Sequence, residues 1–240
     1  MLEGTLLSTA AVGLAAYAVR GKSSSLLAPS VYHGDRSRAS VALTFDDGPS
    51  ESTPALLELL AEHNIKATFF MCGANVRRLK DIACEVAAHG HEIGNHTDSH
   101  SPLYFKSPEF IYRELALAQE TIVKMTQATP RFFRAPYGVR WPGLRRAQNR
   151  LNLTGVMWTA IGRDWKWRSS RISRLLLSGA GNGAILCLHD GRELQRSPDI
   201  RATLEAVEFA LPILISRGFS FETVSQITSP SEIRSREIPR

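Results

Sequence analysis

Two carboxylates stand side by side in Thr44-Phe45-Asp46-Asp47-Gly48-Pro49, directly after a short apolar run. Adjacent residues of a strand face opposite ways. Once the strand has ended, both carboxylates can be aimed into one site with different roles, and Gly-Pro then turns the chain. A second group is His96-Thr97-Asp98-Ser99-His100. Histidines at i and i+4 share one face of a helical turn, so both imidazoles can reach one cation. Seven histidines in this chain produce such a pair by chance with a probability of about 0.2. Two histidines with one Asp leave coordination positions open for water and substrate. That is the pattern of a catalytic zinc site, whereas a structural one is closed by four protein ligands.

Two further segments carry chemistry: Arg134-Ala135-Pro136-Tyr137-Gly138 and Leu186-Cys187-Leu188-His189-Asp190. An Arg at a strand end can hold a carboxylate in a fixed orientation; alone, it reads equally as a structural salt bridge. A His at the end of a buried strand can act as a general acid, because its pKa moves easily across neutrality; alone, it reads as a satisfied core histidine. His33, His63, His89 and His91 do not fall on ligand positions and are read as structural or exposed. Trp165 and Trp167 flank Lys166 in an aromatic-basic cluster that suits either a sugar ring or core packing.

These residues need elements to position them. Apolar strands are read at 41–45, 67–71, 92–95, 154–159 and 184–188, with an extended stretch at 131–134 and a last apolar run at 219–224. Helices are read at 54–62, 81–89, 108–125, 141–149, 170–177 and 200–214, the third carrying Ile111, Leu115, Ala118, Ile122 and Met125 at one-face spacing. Alternating strands and helices imply a parallel sheet, open or closed into a barrel. Asp46, Asp47, His96, Arg134, Asp164 and His189 all follow strand ends. In a parallel barrel those ends open onto one face, where active sites form.

In this order the four segments resemble the polysaccharide deacetylase family, also called the NodB homology domain or carbohydrate esterase family 4. The resemblance covers about residues 40–224. It implies an irregular parallel β/α barrel with fewer than eight complete units. It implies Asp46 as catalytic base, Asp47, His96 and His100 as ligands to one divalent ion, most simply zinc, and Arg134 as the residue that orients the base. Tyr137 would line the site, its backbone amide serving as oxyanion donor. Leu188 would line the acetyl pocket and His189 would be the acid. One segment departs. The family often has D-x-x-D-W, and Ile161 here replaces the first Asp of Ile161-Gly162-Arg163-Asp164-Trp165. Asp164 can still tune His189 and Trp165 can still wall the pocket; loop shape and substrate choice are what the change touches.

The implied activity is a hydrolase of carbon–nitrogen bonds other than peptide bonds, removing N-acetyl groups from a glycan that contains N-acetylglucosamine, peptidoglycan or chitin-like. Three other readings are an O-acetyl esterase on xylan-like polymers, a small-molecule amide or imide hydrolase, and an inactive sugar-binding module. The intact base, ligand and acid positions argue against the last.

Composition sets the frame. At 240 residues the chain holds one substantial domain. Its 29 Lys+Arg against 23 Asp+Glu give a net +6, a solvated basic surface or a fit to an anionic wall polymer. No nucleic-acid partner is expected, and the sequence does not specify an oligomeric state. Three cysteines, Cys72, Cys84 and Cys187, make no disulfide framework. Residues 6–19 are uncharged and apolar. That is short for a spanning helix and suits a signal-peptide core. Arg20 and Lys22 follow it, the reverse of a signal peptide's flank. The expected organisation is an apolar signal or membrane anchor at 1–20, a linker at 21–39, the deacetylase domain at 40–227 and a tail at 228–240, placed outside the cytoplasm.

Overall fold

The computed structural model describes residues 2–230, with side chains from residue 11 onward. The centre of the fold is β2 (Ser40–Asp46), buried along its full length. A strand covered on both faces reads as a continuous apolar run, as this one does. Its residues still divide by parity. Val41, Leu43 and Phe45 enter the cluster beneath the helices, while Ala42 packs with Phe70 and Ile185 on the other face. Thr44 and Asp46 share the face of Ala42 by the two-residue period of a strand.

The remaining strands are β1 (Ser30–Val31), β3 (Thr68–Met71), β4 (Glu92–Asn95), β5 (Phe132–Phe133), β6 (Thr154–Val156), β7 (Ala160–Ile161), β8 (Ala184–His189) and β9 (Ser220–Phe221). All pair in parallel, in the order β1-β6-β5-β4-β3-β2-β8-β7, with β9 beside the start of β2. The helices are α1 (Leu2–Arg20), α2 (Thr53–Glu62), α3 (Gly73–Arg78), α4 (Lys80–Ala88), α5 (Pro108–Thr126), α6 (Leu144–Leu151), α7 (Ser169–Gly179), α8 (Arg201–Ser216) and α9 (Val224–Thr228). Helices α2, α7 and α8 cover the sheet around β2 and β8, through Leu56, Leu57, Leu60, Leu176, Val207 and Leu211. Burying one such side chain stabilises the fold by about 1.5–3 kcal/mol.

The sheet is strongly curled. β6 and β7 lie near opposite ends of the strand order, yet only Met157, Trp158 and Thr159 separate them. Three residues span at most ~14 Å between flanking Cα atoms, so the two edges must approach each other. The stretch expected as one strand at 154–159 is therefore two short strands joined by a crossing. Met157 N–H donates to Val31 on one side and Thr159 N–H to Ile185 on the other. The result is a parallel barrel with fewer than eight complete units.

Two boundary expectations change. The stretch expected as a linker at 21–39 packs on the domain. β1 extends the sheet beside β6, and Ser24 and Ala28 are buried. The cause is Arg140, fully buried, whose backbone N–H donates to Val19 O and whose guanidinium donates to the carbonyls of Ser24 and Gly21. Within the segment expected at 1–20, Leu2–Arg20 is a helix whose residues 11–17 are exposed, with Val19 packed against the body. Among the described residues no helix is long and apolar enough to cross a membrane. Residues 231–240 of the expected tail lie outside the described residues, and α9 occupies its first position, Thr228.

Candidate active site

Register brings the first two functional residues together. β2 and β8 align so that Asp46 and His189 are Cα partners, although 143 positions separate them in the chain. The chain bends sharply after each. Asp47 has a left-handed φ of 72°, and Gly191 passes so close that a Cβ there would stand 2.6 Å from Asp47 O. That bend turns Asp47 out of the strand period, so both neighbouring carboxylates face one site.

Asp46 is buried and held from two sides. Arg134 Nη1 donates to Asp46 Oδ1 at 2.7 Å and to Thr44 Oγ1 at 2.8 Å. Arg134 itself is fully buried, with its guanidinium 4.2 Å from the Phe70 ring centroid and further bonds to the carbonyls of Val156 and Met157. A buried charge needs such partners. The Cys187 thiol lies 3.5 Å from Asp46 Oδ2 and donates to it. Burial raises the pKa of that thiol well above its usual range, and the negative charge of Asp46 adds to the effect.

Asp47, His96 and His100 form a second cluster. Asp47 Oδ1 lies 3.3 Å from His96 Nε2 and 3.0 Å from His100 Nε2. All three residues are buried and offer ligand atoms within 4.8 Å of one another. Burial raises the Asp47 pKa, but hydrogen bonds from His100 and His96 outweigh it and hold the carboxyl well below its usual range. His96 Nδ1 donates to the Arg134 carbonyl at 2.7 Å, which fixes the ring with Nε2 directed at Asp47. Asp47 Oδ2 accepts the Glu193 N–H. Two imidazoles and one carboxylate with open positions fit a divalent ion of the catalytic zinc type.

The histidine pair is not helical, contrary to the sequence expectation. β4 ends at Asn95, and the loop beyond it has positive φ at Thr97 (66°) and His100 (55°). Local bonds hold this shape: Thr97 N–H donates to Asn95 Oδ1, Arg77 clamps both oxygens of Asp98 at 2.6 and 2.8 Å, and Ser99 N–H donates to Glu114. A strand end followed by a clamped loop reaches the same result as a helical turn, with both rings on one point.

On the far side, His189 Nδ1 donates to Asp164 Oδ1 at 2.8 Å, while Asp164 Oδ2 accepts the His189 N–H and the Thr203 hydroxyl. Burial opposes the imidazolium, but the charge and hydrogen bond of Asp164 outweigh it, and the His189 pKa rises to about 9. The Trp165 ring, 51% exposed, meets His189 edge-on at 4.9 Å. Tyr137 has a left-handed φ of 57°, its ring meets His100 at 5.0 Å, and its hydroxyl donates to Glu193 at 2.5 Å. Among the described residues no protein group accepts the Tyr137 N–H.

Leu188 is placed differently from the other expected residues. It is fully buried in the cluster beneath the helices, paired with Phe45, and a Cβ on Gly162 would stand 2.5 Å from its Cδ2. Ile161, the departure from the family pattern, sits in β7 opposite Cys187. His91 stays outside the site: it is buried and accepts the Ala67 N–H. Sequence reading missed Glu193, Thr203 and Cys187 as partners. Glu193 lies 146 positions from Asp47 and Thr203 39 from Asp164, with no motif to mark either.

A family profile described as Polysaccharide deacetylase matches residues 33–156. A peptidoglycan-N-acetylglucosamine deacetylase, PgdA, of Listeria monocytogenes is 32% identical over 78% of this chain, and the chain spans 38% of that protein's length. A chitooligosaccharide deacetylase of Bradyrhizobium is 34% identical over 78% of this chain and 90% of its own length. The crystal structure of the Bc1960 peptidoglycan N-acetylglucosamine deacetylase, bound to a hydroxamic acid, superposes with a TM-score of 0.77 at 30% identity, covering 83% of this chain and 92% of that one. The chain belongs to the polysaccharide deacetylase family, carbohydrate esterase family 4.

Proposed function

We propose that the protein removes N-acetyl groups from a glycan containing N-acetylglucosamine, of the peptidoglycan or chitooligosaccharide kind. The observation that carries this reading is the pairing of Asp46 with His189 across β2 and β8, beside the cluster of Asp47, His96 and His100. A base and an acid then stand on either side of one reacting carbonyl.

Asp46, oriented by Arg134, takes a proton from the attacking water. The N–H of Tyr137 donates to the carbonyl oxygen as negative charge grows there. His189 enters as the imidazolium and passes a proton to the sugar nitrogen as the carbon–nitrogen bond breaks, leaving acetate and a free amine. An amine leaves poorly unless protonated, so an amide requires this acid more than an ester does. Asp47, His96 and His100 would hold a divalent ion, most simply zinc, which supplies Lewis-acid polarisation of the acetyl carbonyl. Trp165 and Tyr137 form the rim of the acetyl pocket.

Acetate release from a ladder of N-acetylglucosamine oligomers, soluble peptidoglycan strands and acetyl-xylan tests the reading. Release should occur from the N-acetylated glycans, rise with oligomer length, and stop with chelator. Rapid release from acetyl-xylan with none from any N-acetyl oligomer would transfer the site to ester hydrolysis.

The site of action is proposed to be outside the cytoplasm, where such glycans lie. Support comes from the apolar, uncharged stretch at 6–19 and the exposure of Val12 and Leu14 within it.

A further inference from the structure

The most basic stretch beside the site runs from Arg163 to Arg174. It carries Arg163, Lys166, Arg168, Arg171 and Arg174 against one carboxylate, Asp164. Asp164 is buried and already bonded to His189 and Thr203, so it offers these cations no exposed partner. All five cationic residues are exposed. Among the described residues none of them enters an ion pair. At the far end Arg174 shares a groove with Glu205.

The arrangement is organised. Arg171 and Arg174 stand three residues apart on one side of α7, where like charges repel, and Arg168 is the residue just before its first turn. Arg163 and Arg171 lie over the Trp167 ring at 5.3 and 3.8 Å, which fixes two guanidinium planes. The first turn of α7 has no side-chain cap, so its free N–H groups add positive potential at the same place. Such a field attracts anions at the surface of the free protein.

Position selects the kind of anion. The stretch includes the residue that holds the proposed acid, and Trp165 stands edge-on to His189 at 4.9 Å with half its surface open. Arg163 and Lys166 flank these two residues in the chain, so the patch begins beside the reacting centre and runs from there along α7.

We propose that Arg163, Lys166, Arg168, Arg171 and Arg174 form a subsite for carboxylate groups carried by the glycan chain next to the reacting sugar. The inference rests on the deacetylase reading and deepens it: the preferred substrate is an anionic glycan, and a neutral N-acetylglucosamine chain is the poorer one.

The test uses the full chain loaded with one equivalent of zinc and a variant carrying Lys166→Gln, Arg168→Gln and Arg174→Gln. Arg163 and Arg171 are left in place because they pack on Trp167. Two length-matched glycans are compared: a neutral N-acetylglucosamine oligomer, and a soluble strand in which every second sugar bears a carboxylate. Acetate release and calorimetric binding are measured at low and high salt. For the carboxylate strand, the variant should show KM and Kd raised about tenfold, with kcat nearly unchanged. The neutral oligomer should be unaffected. Added salt should weaken strand binding to the unsubstituted protein and barely affect the variant. Amidation of the strand's carboxylates should abolish its advantage.

Equal losses on both glycans, or no loss on either, would overturn the subsite. So would vesicles containing phosphatidylglycerol that bind the unsubstituted protein but not the variant while strand affinity stays constant, since the patch would then serve a membrane. Absence of acetate release from both glycans would end the deacetylase reading instead, and the calorimetric comparison would still decide the subsite.

Discussion

Three roles are separable at the residue scale because each rests on a different partner. Asp47, His96 and His100 converge on one point, so His96→Ala or His100→Ala should lower bound divalent metal well below one equivalent, as measured by elemental analysis of protein purified without chelator. Asp46 touches Arg134 and Cys187 rather than that cluster. Asp46→Asn should keep the metal and lose roughly 10²–10⁴ in turnover. His189→Ala should hurt N-acetyl substrates far more than activated acetyl esters; equal losses on both would mean that it is not the leaving-group acid. The pH profile follows from Asp164. Its charge and hydrogen bond, against the opposing effect of burial, lift the His189 pKa to about 9. The proton needed for the amine is present at neutral pH, and the rate should fall as pH rises through about 9. Asp164→Asn should move that alkaline limb to lower pH, and a limb that stays in place belongs to another group. The linkage has the same sign: a raised His pKa stabilises the fold fully below about 6.5, an effect lost as pH passes the raised value.

The decisive contact at the element scale joins the N-terminal stretch to the body. Arg140 is fully buried and bonds the carbonyls of Val19, Gly21 and Ser24 through its backbone and guanidinium. Hydrogen bonds from a charged donor contribute more than neutral ones. Arg140→Ala should therefore cost about 2–3 kcal/mol, or a Tm lower by about 5–10 °C, read by calorimetry. The same contact reaches the site, because Arg20 donates to the Tyr137 carbonyl at 3.1 Å in the turn that presents the proposed oxyanion donor. A chain beginning at Ser40 would lose β1 from the edge of β6, together with the buried Ser24 and Ala28. It should be less stable than one beginning at Ala18, which retains these contacts.

At the scale of the whole molecule the proposed attachment and the proposed chemistry lie apart. The exposed part of α1, residues 11–17, stands off the body, while the candidate site lies at the strand ends of the barrel. The full chain should sediment with membranes after cell fractionation. A chain beginning at Ala18 should not, while keeping its kcat/KM on soluble oligomers. Full-length protein recovered wholly in the soluble cytoplasmic fraction would refute export and anchoring together.

Sequence alone determined the alternation of strand and helix, hence a parallel sheet, because apolar period and turn residues are local properties. It also marked the strand-end residues Asp46, Asp47, His96, His100, Arg134 and His189, since each stands in a short segment of readable chemistry. Tertiary structure decided what depends on distant partners. Asp46 faces His189 only through the register of β2 against β8. Glu193 and Thr203 reach Asp47 and Asp164 across loops no motif announces. The histidine pair converges through positive-φ loop geometry and the Arg77 clamp on Asp98, not through a helical turn. Residues 21–39 read as a polar linker because their burial comes from Arg140 and β6, more than a hundred residues away. Local patterns record what a segment prefers; burial, register and ion pairing are properties of two segments at once, and only the folded chain brings the second one.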